Sequence, residues 1–277
     1  MKAIICTFLF CNTLLAGFSQ NLHFNISAGT ANYFGDLQSK RFTFQQAKLA
    51  IGVGLSYDVS EKVFLRTGFT YGSVAANDKF NPPTAVRNLN FTSSVSELNL
   101  MGGYYLLDPY QNSINPYIFA GIAAYHFNPY TKDTSGTKIF LQPLSTEGQG
   151  FYQNRKAYAL NQFAIPFGAG ATLALSDNIH IGIEVGWRKL FTDYLDDVST
   201  TYIDPNLLLA NRGPKTLELA YRGNELKNGN PYPLGEIRGG AKYKDWYYFT
   251  MFTTSFKLGG DGKNSIKSKV GCPAKVY

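Results

Sequence analysis

The sequence predicts an all-β chain: an eight-stranded antiparallel transmembrane β-barrel with long extracellular loops. Three observations carry that prediction. Apolar residues alternate strictly with small or polar ones over several segments, and short connections alternate with long ones along the chain. Beyond the N-terminal segment, no stretch approaches the roughly 18 apolar residues that a membrane-crossing helix needs.

Residues 1–20 read as a signal peptide. Lys2 supplies a positive n-region, Ile4 to Leu15 an apolar core, and Ala16, Gly17 and Ser19 the small residues before cleavage near Ser19 or Gln20. The apolar core is too short to span a bilayer as a helix. Cys11 lacks the small residues that precede a lipid-modified cysteine, so no lipid anchor is expected.

Residues 21–257 should form the barrel. Strands are expected at 22–31, 47–58, 62–73, 94–107, 115–127, 161–175, 179–190 and 246–257, with the first and last paired. The second puts Leu49, Ile51, Val53, Leu55 and Tyr57 on one face, with Ala50, Gly52, Gly54 and Ser56 on the other. The third sets Val63, Leu65, Phe69 and Tyr71 against Arg66, Gly68, Thr70 and Gly72. The sixth sets Phe163, Ile165, Phe167, Leu173 and Leu175 against Gln162, Gly168, Gly170 and Thr172. The seventh sets Ile179, Ile181, Ile183, Val185 and Trp187 against His180, Gly182, Glu184, Gly186 and Arg188. In the last strand Trp246, Tyr248, Phe252 and Phe256 should face lipid as an aromatic girdle.

Connections near Ser60, at 108–114 and at 176–178 are short, whereas those at about 32–45, 74–90, 128–160 and 191–245 are long. That alternation places the long loops outside the cell and both termini in the periplasm. A soluble barrel would turn its apolar face inward and leave the glycine-rich face outside, which is a poor exterior.

Eight strands enclose a space that side chains just fill, which argues against a diffusion pore. Arg66, Glu97, Glu184 and Arg188 belong to the polar face and should form a charge network in the lumen. A charge facing lipid would cost about 2–4 kcal/mol at the bilayer midplane. Structural pairing is the expected role of the four, in preference to an ion path.

Composition narrows the function classes. The 277 residues are 15% aromatic and only 16% charged, with 21 Phe and 19 Tyr. The net charge of +7 comes from scattered Lys and Arg that form no stripe, so no nucleic-acid partner is expected, and the partner read from the strands is outer-membrane lipid. Of the three histidines, His23 and His180 fall at the periplasmic end and His126 near the outer rim. No spacing joins His126 to Asp193 or Asp196 as a catalytic set, so the chain reads as no enzyme. Asp193, Asp196 and Asp197 form the densest acidic group. Oxygen ligands suit Ca²⁺, but the spacing matches no EF-hand, and a loop-folding role through Asx hydrogen bonds is expected instead of a metal site. No phosphate-binding glycine loop is present, and no cofactor is expected.

After signal cleavage Cys272 is the sole cysteine, which leaves an intermolecular disulfide or a tolerated free thiol. It lies in a stretch, 258–277, rich in Gly, Lys and Ser, that reads as a flexible basic periplasmic tail.

Several phrases resemble one family: Gly35-Asp36-Leu37, Arg87-Asn88-Leu89-Asn90-Phe91, Phe127-Asn128-Pro129, Leu141 to Gly150 with Glu147 and Gly148, Ile165-Pro166-Phe167-Gly168, and Arg188 to Ser199 with Asp193, Asp196 and Asp197. Together they are similar to DUF6089, a family of Bacteroidetes outer-membrane barrels that includes a PorG-like component of type IX secretion. The resemblance spans about 30–257. It implies a structural barrel that anchors or accompanies a periplasmic secretion assembly, with periplasmic secretion-ring proteins as partners. The strands and loops themselves also admit a surface binding barrel whose outer loops hold a ligand, and, third, a barrel enzyme.

Overall fold

Among the described residues nine strands form one sheet, and eight of them close it into a barrel. The computed structural model describes residues 21–109, 111–227 and 229–258. The expected signal peptide over 1–20 and the tail with Cys272 lie outside the described residues.

The strands are β1 (Leu22–Phe34), β2 (Lys48–Asp58), β3 (Val63–Asn77), β4 (Asn90–Tyr105), β5 (Ile114–Lys132), the short β6 (Lys138–Phe140), β7 (Asn161–Ala174), β8 (Ile179–Leu190) and β9 (Trp246–Lys257). Each barrel strand pairs antiparallel with its neighbours in the chain, and β1 closes on β9 from His23 opposite Lys257 to Phe34 opposite Trp246. β6 only folds back on the end of β5. Two short helices, α1 (Pro205–Arg212) and α2 (Pro214–Ala220), stand in the last long loop, where alternation gave no signal. The chain therefore forms a closed eight-stranded up-and-down barrel, and no helix among the described residues is long and apolar enough to cross a membrane.

The outward face is apolar and open. Leu49 is 83% exposed, Phe163 71% and Ile122 65%, and Leu65, Leu98, Leu100, Ile183 and Phe252 stand out beside them. An apolar surface this continuous would be an aggregation hazard in water and is ordinary in hydrocarbon.

Four strands run further toward the long-loop end than alternation indicated. β1 continues to Phe34 and β3 to Asn77, β4 begins at Asn90 and β5 reaches Lys132. The reason is a reversal of polarity along the same strands. Up to the level of Phe69 and Leu98 the apolar residues face out. Beyond it Ser73, Asn77, Thr92, Ser94 and Lys132 take the outer face, while Val74, Ala76, Phe91, Val95 and Phe127 turn inward and are buried. The two-residue period persists with its apolar phase inverted, as expected where strands leave lipid and enclose a core in water.

That core joins barrel and loops. Inward residues such as Tyr33, Phe91, Phe127, Tyr247 and Phe249 pack with the loop residues Leu37, Leu141, Tyr158, Leu195, Val198 and Leu219. A second cluster of Phe64, Met101, Tyr117 and Phe119 fills the short-turn end. One expectation for β9 needs correction. Tyr248 is on the outward side but buried, because the loop after β1 lays Phe42 against it, with ring centroids 5.9 Å apart, and the Tyr248 hydroxyl meets the backbone of Thr43.

Candidate functional site

Two layers of buried charge fill the barrel from its middle to its long-loop mouth. In the lower layer, Arg66 on β3 donates to both oxygens of Glu184 on β8, at 2.7 and 3.2 Å, and Tyr117 donates to the same carboxylate at 2.8 Å. β3 and β8 stand on opposite walls, four strand steps apart, so this pair crosses the lumen. Above it, Arg188 donates to both oxygens of Glu97, each at 2.9 Å. Asn99 and Tyr247 donate to Glu97 as well, at 2.9 and 2.7 Å. The two guanidiniums lie over Phe119 and Phe249 respectively. What stays open beside them is a cavity of about 80 Å³. Alternation had placed all four charges on one face; the structure adds which pairs with which.

The upper layer is built from the loops. Glu147 is fully buried. It accepts from the backbone amides of Ser199 and Thr200 at 2.9 and 3.0 Å, from the Thr200 hydroxyl at 2.6 Å and from Arg238 at 2.9 Å. Arg238 also donates to the carbonyls of Ala220 and Asp197. Arg87 caps the carbonyl of Arg238, pairs with Asp78 and reaches the carbonyl of Asp36. This one cluster therefore ties together all four long connections.

The aspartates 193–197 complete it. Asp197 accepts from Thr146 and Tyr158, at 2.5 and 2.6 Å. Asp196 accepts from Tyr33 at 2.6 Å and caps the Val198 amide in an Asx turn. Tyr33 bridges onward to Asp245, which holds the Leu195 amide. Asp193 accepts from Ser199. Burial pushes Asp193 up to about 7, helped by the nearby Asp36 and Glu147, while Ser199 and Lys244 oppose the shift. Burial likewise raises Asp197 to about 6 against the pull of Arg238. Asp196 and Asp245 are pushed well above the carboxylate range by burial and by neighbouring carboxylates. Among the described residues, no three His, Cys, Asp or Glu side chains are arranged to hold a metal ion.

The remaining motif residues are part of the same frame. Phe127 stacks on Tyr158 at 6.1 Å, which in turn stacks on Tyr194 at 4.8 Å. The Asn128 amide donates to Ser93, and the Pro129 carbonyl accepts from Leu141. Gly148 has φ +80°, and a Cβ there would lie 2.6 Å from both Ile203 and Tyr152, so only glycine suits the turn. His126 faces outward and meets Asn161, away from the buried aspartates. Sequence reasoning missed Arg238, Asp245, Tyr33 and Asp78. They stand outside the strand alternation or at its edge; the one visible cue was an arginine beside two glycines at 238–240.

Closed strand order, an apolar exterior and a charge-filled interior define a transmembrane β-barrel of the outer-membrane type. The chain belongs to the DUF6089 family, a domain of unknown function, whose model matches residues 2–204. No curated protein matches the sequence. Among solved structures, Neisserial surface protein A is similar at 8% identity, with 85% of this chain and 96% of that chain covered and a TM-score of 0.43. The attachment invasion locus protein Ail of Yersinia pestis is 7% identical, with 86% and 98% covered and a TM-score of 0.41. The N-terminal barrel domain of Pseudomonas aeruginosa OprF is 13% identical, with 86% and 98% covered and a TM-score of 0.36. The class assignment rests on the chain's own strand order and exterior.

Proposed function

We propose that this protein is a structural outer-membrane barrel that anchors or accompanies a periplasmic protein-secretion assembly, in the manner of the PorG-like component of type IX secretion. The observation that carries the reading is the closed lumen: two bidentate ion pairs and an aromatic cluster occupy the space a solute would need. A barrel without a passage acts through what it holds. The family phrases supply the direction of the reading, toward partners beneath the membrane, and the basic tail from 258 to 277 is the segment that would reach them. Non-catalytic anchoring also accords with the burial of Glu147 and Asp197, whose carboxylate oxygens are held by donors within the loop cluster.

The test is crosslinking in cells that express the full chain, followed by identification of the captured proteins. Secretion-ring proteins captured by the full chain and lost on deletion of 259–277 support the reading. Capture of none of them rejects it.

A surface binding barrel is the second reading, favoured by one observation. A cavity of about 640 Å³ opens in the loop layer beside Arg87, Tyr202, Tyr221, Tyr232 and Arg238, and the buried Tyr202 hydroxyl has no hydrogen-bond partner. Loss of a surface-binding phenotype on Tyr202→Phe, with ring crosslinks intact, would favour it.

A further inference from the structure

The outer surface of the barrel carries a feature that neither anchoring nor loop binding uses. At the long-loop rim a groove of about 800 Å³ opens on the outward side of β7, β8 and β9. Its floor is aromatic: Phe167 lies 6.3 Å from Trp187 and 6.0 Å from Trp246, and Trp187 lies 6.4 Å from Tyr248. Phe42, 66% exposed, leans edge-on against Trp187 from the loop above.

Four cations line the same groove, Arg41, Lys189, Lys242 and Lys244, and no acidic side chain does. Among the described residues none of the four makes an ion pair within 4.0 Å; Lys244 donates only to the Ala241 carbonyl, and Lys242 lies by the Tyr243 ring. The nearby carboxylates are turned into the loop cluster: Asp245 is buried there, and so is Asp193, which feels the charge of Lys244 without forming an ion pair with it.

The position of the groove fixes what can fill it. Along β8 the outward residues run Ile179, Ile181, Ile183, Val185, Trp187 and then Lys189, which pairs in register with Trp246. The groove is thus continuous below with the lipid-facing belt and ends above in positive charge. A tryptophan followed by a lysine at the strand end is the order of a bilayer boundary. A soluble anion would meet the cations but leave the aromatic floor bare. An uncharged lipid would cover the floor and leave four cations without an ion-pair partner.

We propose that this groove is a docking site for a phosphorylated acyl lipid of the leaflet on the long-loop side, with the phosphate among Arg41, Lys189, Lys242 and Lys244 and an acyl chain along Phe167, Trp187 and Trp246. The inference adds a ligand site to the proposed function and depends only on the membrane-barrel fold. Guanidinium and ammonium groups both bind phosphate oxygens through charge-assisted hydrogen bonds, and the half-desolvated rim strengthens them relative to water.

Trp187 and Trp246 are the chain's two tryptophans, so tryptophan fluorescence, excited selectively beyond the tyrosine absorption band, reports on the groove. The full chain should be folded into phosphatidylcholine vesicles that contain a graded fraction of phosphatidic acid brominated near the carbonyl end of its acyl chains. A parallel series uses phosphatidylcholine brominated at the same positions. Half-maximal quenching is expected at about a tenfold lower fraction of the phosphatidic acid, in keeping with the attraction of several Lys or Arg side chains for anionic lipid. Replacing the four cations by glutamine should bring the two series together, and exchanging Lys for Arg and Arg for Lys should keep them apart. Heat-dependent gel migration verifies that each variant is a folded barrel. Equal quenching by the two lipids in the native chain, or a preference that survives in the folded glutamine variant, overturns the proposal.

Discussion

Arg66 and Glu184 meet across the lumen at 2.7 Å, from strands on opposite walls of the barrel. Neither is near the other in sequence, and neither has water enough around it to stand alone: their side chains are 14% and 9% exposed. Removing one partner of such a pair leaves an uncompensated charge, which costs about 3–5 kcal/mol, whereas replacing both by apolar groups of similar volume is often neutral. Arg66→Met and Glu184→Leu should therefore each destabilise the folded barrel by that order, and the double variant should recover most of the loss. Urea unfolding in vesicles, followed by tryptophan fluorescence, measures the cycle. Additive single and double losses would mean that the two residues do not act as a pair.

The same filling predicts electrical silence. Purified protein in planar bilayers should show no large, steady conductance, because the charge layer leaves a cavity of about 80 Å³ and the aromatic cluster lies at the short-turn end. A stable porin-like step would contradict the observed packing.

Arg238 should govern the loops without governing the barrel. It is the cation for Glu147 and lies 3.9 Å from Asp197, both fully buried. Arg238→Met should raise the population of opened loops more than about a hundredfold, the equivalent of roughly 3 kcal/mol. Limited proteolysis between 191 and 245 reads the opening, and heat-dependent migration should stay that of a folded barrel. If the loops resist protease as in the native chain, the cluster is not held by this residue.

Loop stability should fall as pH rises. Burial places Asp193 at about 7 and Asp197 at about 6 in the folded loops, against an unfolded value of about 3.9. Between the unfolded and folded values the folded loops bind more protons than the open ones, so the stabilisation present near pH 4 is lost as pH climbs toward 7. Proteolysis of the loops should be slower at pH 5 than at pH 8. Asp193→Asn should flatten part of that dependence, with the raised Asp196, Asp197 and Asp245 carrying the rest; an unchanged slope would remove Asp193 from the account.

Orientation can be read by cysteine labelling in a Cys272→Ser background. Ser135 and Lys227 are exposed at the long-loop end and Asp177 is exposed in a short turn. Intact cells should label Ser135→Cys and Lys227→Cys with an impermeant maleimide and leave Asp177→Cys unlabelled until the outer membrane is broken. The opposite pattern would invert the barrel.

The sequence by itself determined the barrel: eight strands, their faces, the short and long connections, and the side on which Arg66, Glu97, Glu184 and Arg188 stand. A two-residue period is local, and lipid outside against a narrow lumen inside enforces it at every position. Tertiary structure decided the rest. Arg66 takes Glu184 and Arg188 takes Glu97 because strand order and stagger bring those residues to one height, and register across four strands is not written in any one of them. Arg238 reaches Glu147 and Tyr33 reaches Asp196 over 91 and 163 residues, through loops with no period to reveal a face. Even the strand ends at Asn77, Asn90 and Lys132 were hidden for a physical reason: past the bilayer edge the apolar face turns from lipid to the loop core, and the same alternation changes its meaning.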